Sequence, residues 1–173
     1  PVIASRIPEL DEASGISGEV GRVISDEELD ELRNTYVEAS SLAFKAGFDA
    51  VDVKACHGYL LNELLASFTR EGRYGGEALQ NRSRFLLETI GDVVDETDIA
   101  VTSRISAYDG VPYPYGFGVS RVRSDGLPNF DASEPIKVIK EMQREGMKLV
   151  NISIGNPYVC PVSYTHLTLP TKR

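Results

Sequence analysis

The stretch Phe48-Asp49-Ala50-Val51-Asp52-Val53-Lys54-Ala55-Cys56-His57-Gly58-Tyr59-Leu60-Leu61-Asn62-Glu63-Leu64-Leu65 changes its periodicity halfway along. Val51 and Val53 alternate with polar neighbours and are β-branched, which predicts an extended strand. From Leu60 onward Leu60, Leu61, Leu64 and Leu65 recur at three- and four-residue spacings, the period of a helix face. Between the two halves lie Lys54, Cys56, His57 and Tyr59. A strand running through a short turn into a helix is the repeating unit of parallel α/β folds, whose chemistry sits at the C-terminal ends of the strands. A cation, an imidazole and a phenol therefore fall where a site is expected.

Toward the N-terminus, Ser25-Asp26-Glu27-Glu28 has the form of a capping box, serine at the cap and glutamate three residues on. It predicts a helix with Leu29, Leu32, Tyr36, Ala39, Ala43 and Phe44 on one face and Gly47 as its stop. Pro1 to Ile24 reads as a loop. Toward the C-terminus, Thr69 to Gly76 is a polar, glycine-bearing loop. A helix from Leu79 to Val94 follows, with Phe85, Leu86, Ile90 and Val93 inward. Ile99 to Ile105 is the next strand, and Arg104 near its end must find an anion or a strong acceptor. Ser106 to Phe130 is a long irregular stretch whose aromatics Tyr108, Tyr113, Tyr115, Phe117 and Phe130 predict packing over something. A helix from Asp131 to Glu145 turns Ile136, Ile139 and Met142 inward and stops at Gly146. Met147 to Ile154 is a third strand, with Asn151 and Ser153 on one face and Val150, Ile152 and Ile154 on the other.

This alternation implies an α/β chain with a parallel sheet and crossover helices. Polar strand ends, and the lack of G-x-G-x-x-G at any strand-to-helix turn, favour a (β/α) barrel over a dinucleotide-binding sheet. At 173 residues the chain falls short of the ~250 typical of a closed barrel, so a partial (β/α)8 barrel is expected. A net charge of −8 without a basic cluster argues against nucleic acid and anionic membranes as partners. No apolar run reaches the ~20 residues of a membrane helix. The start lacks the pattern of a signal peptide, and two cysteines do not make a disulfide framework, so a reducing cytoplasm is the expectation.

Four separated motifs now carry a family resemblance. Ala46-Gly47-Phe48-Asp49-Ala50-Val51-Asp52-Val53, then His57-Gly58-Tyr59-Leu60, then Tyr74-Gly75-Gly76, then Asn81-Arg82-Ser83-Arg84-Phe85-Leu86 resemble the old yellow enzyme family. Its members are FMN-dependent NAD(P)H:flavin oxidoreductases and ene-reductases on a TIM barrel. The resemblance covers about Pro1 to Tyr158 and implies strands four to six of such a barrel with their helices. It makes FMN the cofactor, NAD(P)H the reductant and a small molecule the substrate. His57 resembles the second member of the pair that hydrogen-bonds the substrate carbonyl. The first member is usually histidine, and Lys54 stands there instead. Tyr59 resembles the proton donor to the α-carbon, and Arg104 the arginine beside the flavin pyrimidine ring. Glu77 and Gln80 stand where serine and glutamate are common. The resemblance also implies that much of the FMN contact, the phosphate site included, comes from strands outside this stretch.

Val162 to Thr171 has no family counterpart and looks like a translated sequencing adapter. Residues 1–161 are therefore read as a fragment of one FMN-dependent barrel domain, and 162–173 as a non-native read-through tail. A homo-oligomeric parent stays open.

The chemistry suits these residue types. Hydride arriving at the β-carbon of an activated alkene builds negative charge on the carbonyl oxygen, and two donors held there stabilise it. Lysine makes a stronger bond to an anion than a neutral histidine does, which predicts a substrate with a carboxylate, thioester or strongly polarised carbonyl. Tyr59 then acts as general acid. Plainer readings stand beside these: Lys54 as a solvated lysine, His57 as a turn histidine, Tyr59 as a core cap, Arg104 in a salt bridge with Asp52 or Asp109. Two alternative functions are a Schiff-base barrel lyase using Lys54 and a non-catalytic half-barrel that associates through open sheet edges.

Overall fold

The computed structural model describes residues 2–13, 15, 21–122 and 128–159; the tail at 162–173 lies outside them. The Ser25 capping box forms as the sequence predicts. Ser25 Oγ accepts from the Glu28 N–H at 3.2 Å, and the Glu28 carboxylate accepts from the Ser25 N–H at 2.9 Å. It opens the long helix α2, Asp26–Lys45. At the other end Gly47, at φ +88°, lets the Phe48 N–H reach back to the Ala43 carbonyl at 3.1 Å. That bond satisfies a carbonyl the helix end would otherwise leave open.

The stretch read as an N-terminal loop carries more structure than its sequence suggested. A two-residue strand β1, Val2–Ile3, pairs in parallel with β2, Arg22–Val23, and a short helix α1, Pro8–Ala13, lies between them. Elements this short leave no periodic signal. After α2 the chain runs through β3 (Ala50–Asp52), α3 (Leu60–Leu65), α4 (Leu79–Glu96), β4 (Ala100–Tyr108), α5 (Ser133–Arg144) and β5 (Leu149–Ile154). β3, β4 and β5 form one parallel sheet in sequence order. Sequential parallel neighbours joined by helical crossovers are the unit shared by barrels and by each half of a doubly-wound sheet.

Helix α4 is the hub, touching α2, α3, α5 and β4. Phe85, Leu86, Ile90 and Val93 are all buried on it, as their spacing predicted. Each such side chain contributes about 1.5–3 kcal/mol on leaving water. Two other faces differ from expectation. On α2 the inward stripe is Leu29, Leu32, Tyr36 and Ser40; Ala39 and Phe44 are exposed. On α5, Val138 and Met142 are buried while Ile136 is exposed. Both helices offered two overlapping apolar stripes, and the direction of packing on α4 chose between them. Among the described residues no helix is long and apolar enough to cross a membrane.

Candidate functional site at the strand ends

Strand pairing continues past the end of β3. The Val53 N–H donates to the Thr102 carbonyl at 2.8 Å, the Ala55 N–H to Arg104 at 2.7 Å, and the Ser106 N–H to Ala55 at 3.1 Å. Asp52 faces Thr102 and Ala55 bridges Ile105, so Lys54 lies level with Arg104. Because side chains alternate along strands, this register gathers Lys54, Arg104, Asn151, Ser106 and Ser153 on one sheet face. Val53, Val101, Ile105 and Val150 take the opposite face, against the helices. Asn151 and Ser153 thus share a face, as expected. On the other face only Val150 reaches the core, while Ile152 and Ile154 are exposed.

The chain then turns sharply. His57 at φ +66° and Gly58 at φ +70° both sit in the left-handed region. Two consecutive residues there reverse the chain and make Tyr59 the N-cap of α3. His57 is buried. Desolvation holds its imidazole below the ordinary value, and the nearby Arg104 and Lys54 charges lower it further. Both effects favour the neutral ring over the imidazolium. The Lys54 ammonium lies 3.7 Å from the centroid of the Tyr59 ring, a cation–π contact. Tyr59 itself is half exposed, and Tyr158 from the segment after β5 lies close enough for Tyr59 to push its phenol up.

Arg104 makes no salt bridge with Asp52 or Asp109. Asp52 accepts from the Thr102 hydroxyl at 2.8 Å, and Asp109 is turned toward Asn62. The Arg104 Nε is buried without an acceptor among the described residues. Cys56 is fully buried and burial pushes its thiol up, with Ser153 as a hydrogen-bond neighbour. It is a packing residue. Among the described residues no cluster of histidine, cysteine or carboxylate side chains could hold a metal ion.

Other polar residues escaped sequence reasoning. Asn62 and Asp109, both buried, bond to each other. Glu63, in the same helical turn, accepts from the Ala4 N–H at 2.7 Å. Burial pushes the Glu63 and Asp109 carboxyls each up to about 7. A polar pair inside the otherwise apolar LLNELL helix was the available signal. The Tyr74 and Asn81 motifs are structural. Buried Arg82 reaches Gly76 O (3.0 Å), Leu65 O (2.6 Å) and Glu134 (2.6 Å), and Arg84 reaches Glu88. Glu77, the departure from the family pattern, takes the exposed Tyr113 hydroxyl and Arg121.

The described residues define the class as a parallel α/β unit with polar and cationic residues at its strand ends. Residues 4–118 match the NADH:flavin oxidoreductase / NADH oxidase family. The chain belongs to that family, the old yellow enzyme family. It is 33% identical over 143 residues to an NADH:flavin oxidoreductase of Gibberella zeae, covering 79% of this chain and 32% of that protein. It is 31% identical over 140 residues to enoate reductase 1 of Kluyveromyces lactis, covering 79% and 33%. Its fold aligns with the old yellow enzyme homologue of Zymomonas mobilis at a TM-score of 0.60 and 22% identity, over 85% of this chain and 41% of that one. The chain therefore spans about a third of the length of these curated relatives, and its parallel strands align with part of their TIM barrel.

Proposed function

We propose that this chain forms about strands four to six of an FMN-dependent barrel that passes hydride from NAD(P)H to an activated alkene such as an α,β-unsaturated carbonyl compound. The observation that carries the reading is the pair of cations, Lys54 and Arg104, level with one another on the polar sheet face with no carboxylate partner among the described residues. A buried guanidinium nitrogen lacking an acceptor is costly unless a ligand supplies one. The electron-rich pyrimidine edge of a flavin fits that need at Arg104. FMN, when bound, supplies the hydride.

The chain's own residues do the rest. His57, held neutral by burial and by its cationic neighbours, donates one hydrogen bond to the substrate's carbonyl oxygen. Lys54 adds a charged donor at the same oxygen and favours substrates whose carbonyl develops or neighbours negative charge. Tyr59, at the N-cap of α3 with its ring against Lys54, holds the proton destined for the α-carbon. Arg104 supplies a fixed positive charge beside the ring that accepts electrons.

The test is the visible spectrum of the full-length protein that carries this segment. Flavin bands that survive desalting and bleach with NAD(P)H are expected. Lys54→Ala and His57→Ala are expected to retain the flavin and lose enone reduction by about 100-fold. A colourless protein that neither binds added FMN nor oxidises NAD(P)H would sink the reading. Borohydride trapping of a keto substrate on Lys54 would then mark a Schiff-base lyase.

A further inference from the structure

The His57–Gly58–Tyr59 turn needs an external hold. A residue other than glycine at φ +66° is held in a sparsely populated conformation, which persists only where its surroundings over-determine it. The surroundings here are two buried side chains, 47 residues apart in sequence. The Gly58 N–H, at the middle of the turn, donates to Asn62 Oδ1 at 2.8 Å. The other end of that amide, Asn62 Nδ2, donates to both Asp109 oxygens at 3.1 and 3.3 Å. Asp109 is fixed in turn by the Phe117 N–H at 2.9 Å, and its own N–H returns to the Phe117 carbonyl at 3.1 Å. The amide orientation admits no flip, since reversing it would face N–H against N–H at Gly58 and oxygen against carboxylate at Asp109. Above the turn, a Cβ on Gly58 would stand 2.9 Å from the Asn156 side-chain nitrogen, so a larger residue at 58 would have to displace Asn156.

We propose that Asn62 and Asp109 form a latch that sets this turn, and so are positioning residues that aim His57 at the substrate carbonyl and Tyr59 at its α-carbon. The inference rests on the reading of the turn as the carbonyl site. Neither side chain touches substrate; both act through the Gly58 amide. The latch also ties the turn after β3 to the segment after β4.

The test uses three variants of the full-length protein, with two readouts that do not share a failure. The first is hydrogen exchange at the Gly58 amide followed by NMR. Asn62→Ala is expected to speed that exchange by at least about tenfold, because the amide loses its buried acceptor. The second is enone turnover. Asn62→Ala is expected to keep its flavin and lose about 100-fold in kcat, the scale expected from misplacing catalytic groups by an ångström. Asp109→Asn, which sets an amide where two N–H donors converge, should lose turnover in the same direction. Asn62→Asp supplies the sharper signature. Its carboxyl can accept from Gly58 and still bond Asp109 only while the two acids share a proton. Its turnover should approach wild type at low pH and fall away as pH rises, opposite in direction to the wild-type latch, where ionising Asp109 strengthens the acceptor for Asn62.

A protected Gly58 amide with unchanged kcat in Asn62→Ala, or an Asn62→Asp profile that follows wild type, would overturn the latch. Should Asn62→Ala fail to fold, the Asn62→Asp profile decides. Should the wild type hold no flavin and reduce no enone, the functional reading falls. Exchange at Gly58 in Asn62→Asp as a function of pH then still decides the latch.

Discussion

Arg82 and Arg104 are both arginines on the inside of the same small α/β unit, and they are treated in opposite ways. Arg82 is fully buried, stacked 3.6 Å over the Phe68 ring, and shared among two carbonyls and the Glu134 carboxylate. Arg104, at the end of β4, has a buried Nε without an acceptor among the described residues, and its neighbour in register is another cation, Lys54. A fold that can build a complete set of acceptors for one guanidinium is chemically able to do so for another. Arg70 stands between them: its Nε is also unpartnered among the described residues, but its other two nitrogens reach the Ala4 carbonyl and Asp26. On the proposed reading Arg82 holds the scaffold and Arg104 awaits a ligand.

Substitution at the two positions should therefore diverge most. Arg82→Ala strands two buried carbonyls and one carboxylate, and is expected to cost about 3–5 kcal/mol in denaturant unfolding. Arg104→Met removes a charge with no salt-bridge partner among the described residues. It should leave stability within about 1 kcal/mol of wild type, or raise it, while weakening FMN retention in the full-length protein. An Arg104→Met variant that unfolds as readily as Arg82→Ala would erase the distinction.

The next effect comes from the buried acids near the site. Glu63 and Asp109 have folded-state values of about 7, above their ordinary 4.5 and 3.8. The folded chain therefore holds more protons than the unfolded one between those values. The stability associated with each is complete below its ordinary value and is lost as pH rises through about 7. Raising the pH from 5 to 8 should lower the unfolding free energy by on the order of 1–3 kcal/mol per group. His57 works the other way: its depressed value makes the chain less stable as pH falls below the ordinary imidazole range. Glu63→Gln keeps an oxygen for the Ala4 N–H and should flatten its share of the slope, read from urea midpoints at three pH values. An unchanged slope would show that Glu63 ionises in place without cost.

The smallest effect is expected at Lys54. Its contact is one aromatic ring, itself half exposed. Lys54→Met should change stability by less than about 1 kcal/mol, and a larger loss would move Lys54 into the company of Arg82.

How much of this was legible follows from the range over which each force acts. The change of period at Leu60, the Ser25 box and the α4 stripe are local patterns, and they were read correctly. The motif residues Lys54, His57, Tyr59 and Arg104 were picked out as candidates because each is a polar type at a strand end. The stripes on α2 and α5 were misjudged by part of a turn. Ser40 occupies a buried place because its hydroxyl bonds back to the Tyr36 carbonyl at 2.7 Å, a self-satisfaction that no hydropathy pattern registers. Asn62 and Asp109 could not be paired in advance, since their bond depends on where two loops meet. The absence of an Asp52 or Asp109 partner for Arg104 was likewise a matter of tertiary placement.

The ladder that carries β3 past Asp52 to Ala55 has one more consequence. Side chains on a strand alternate, so a slip of one residue between β3 and β4 would turn Lys54 toward the helices and leave Arg104 without its neighbour. A slip of two would restore the face but part the two cations by roughly 6–7 Å. The Ala55–Ile105 bridge therefore acts as a proofreading mark. Chains that close it have the right alignment and both cations side by side, and a misaligned sheet parts them.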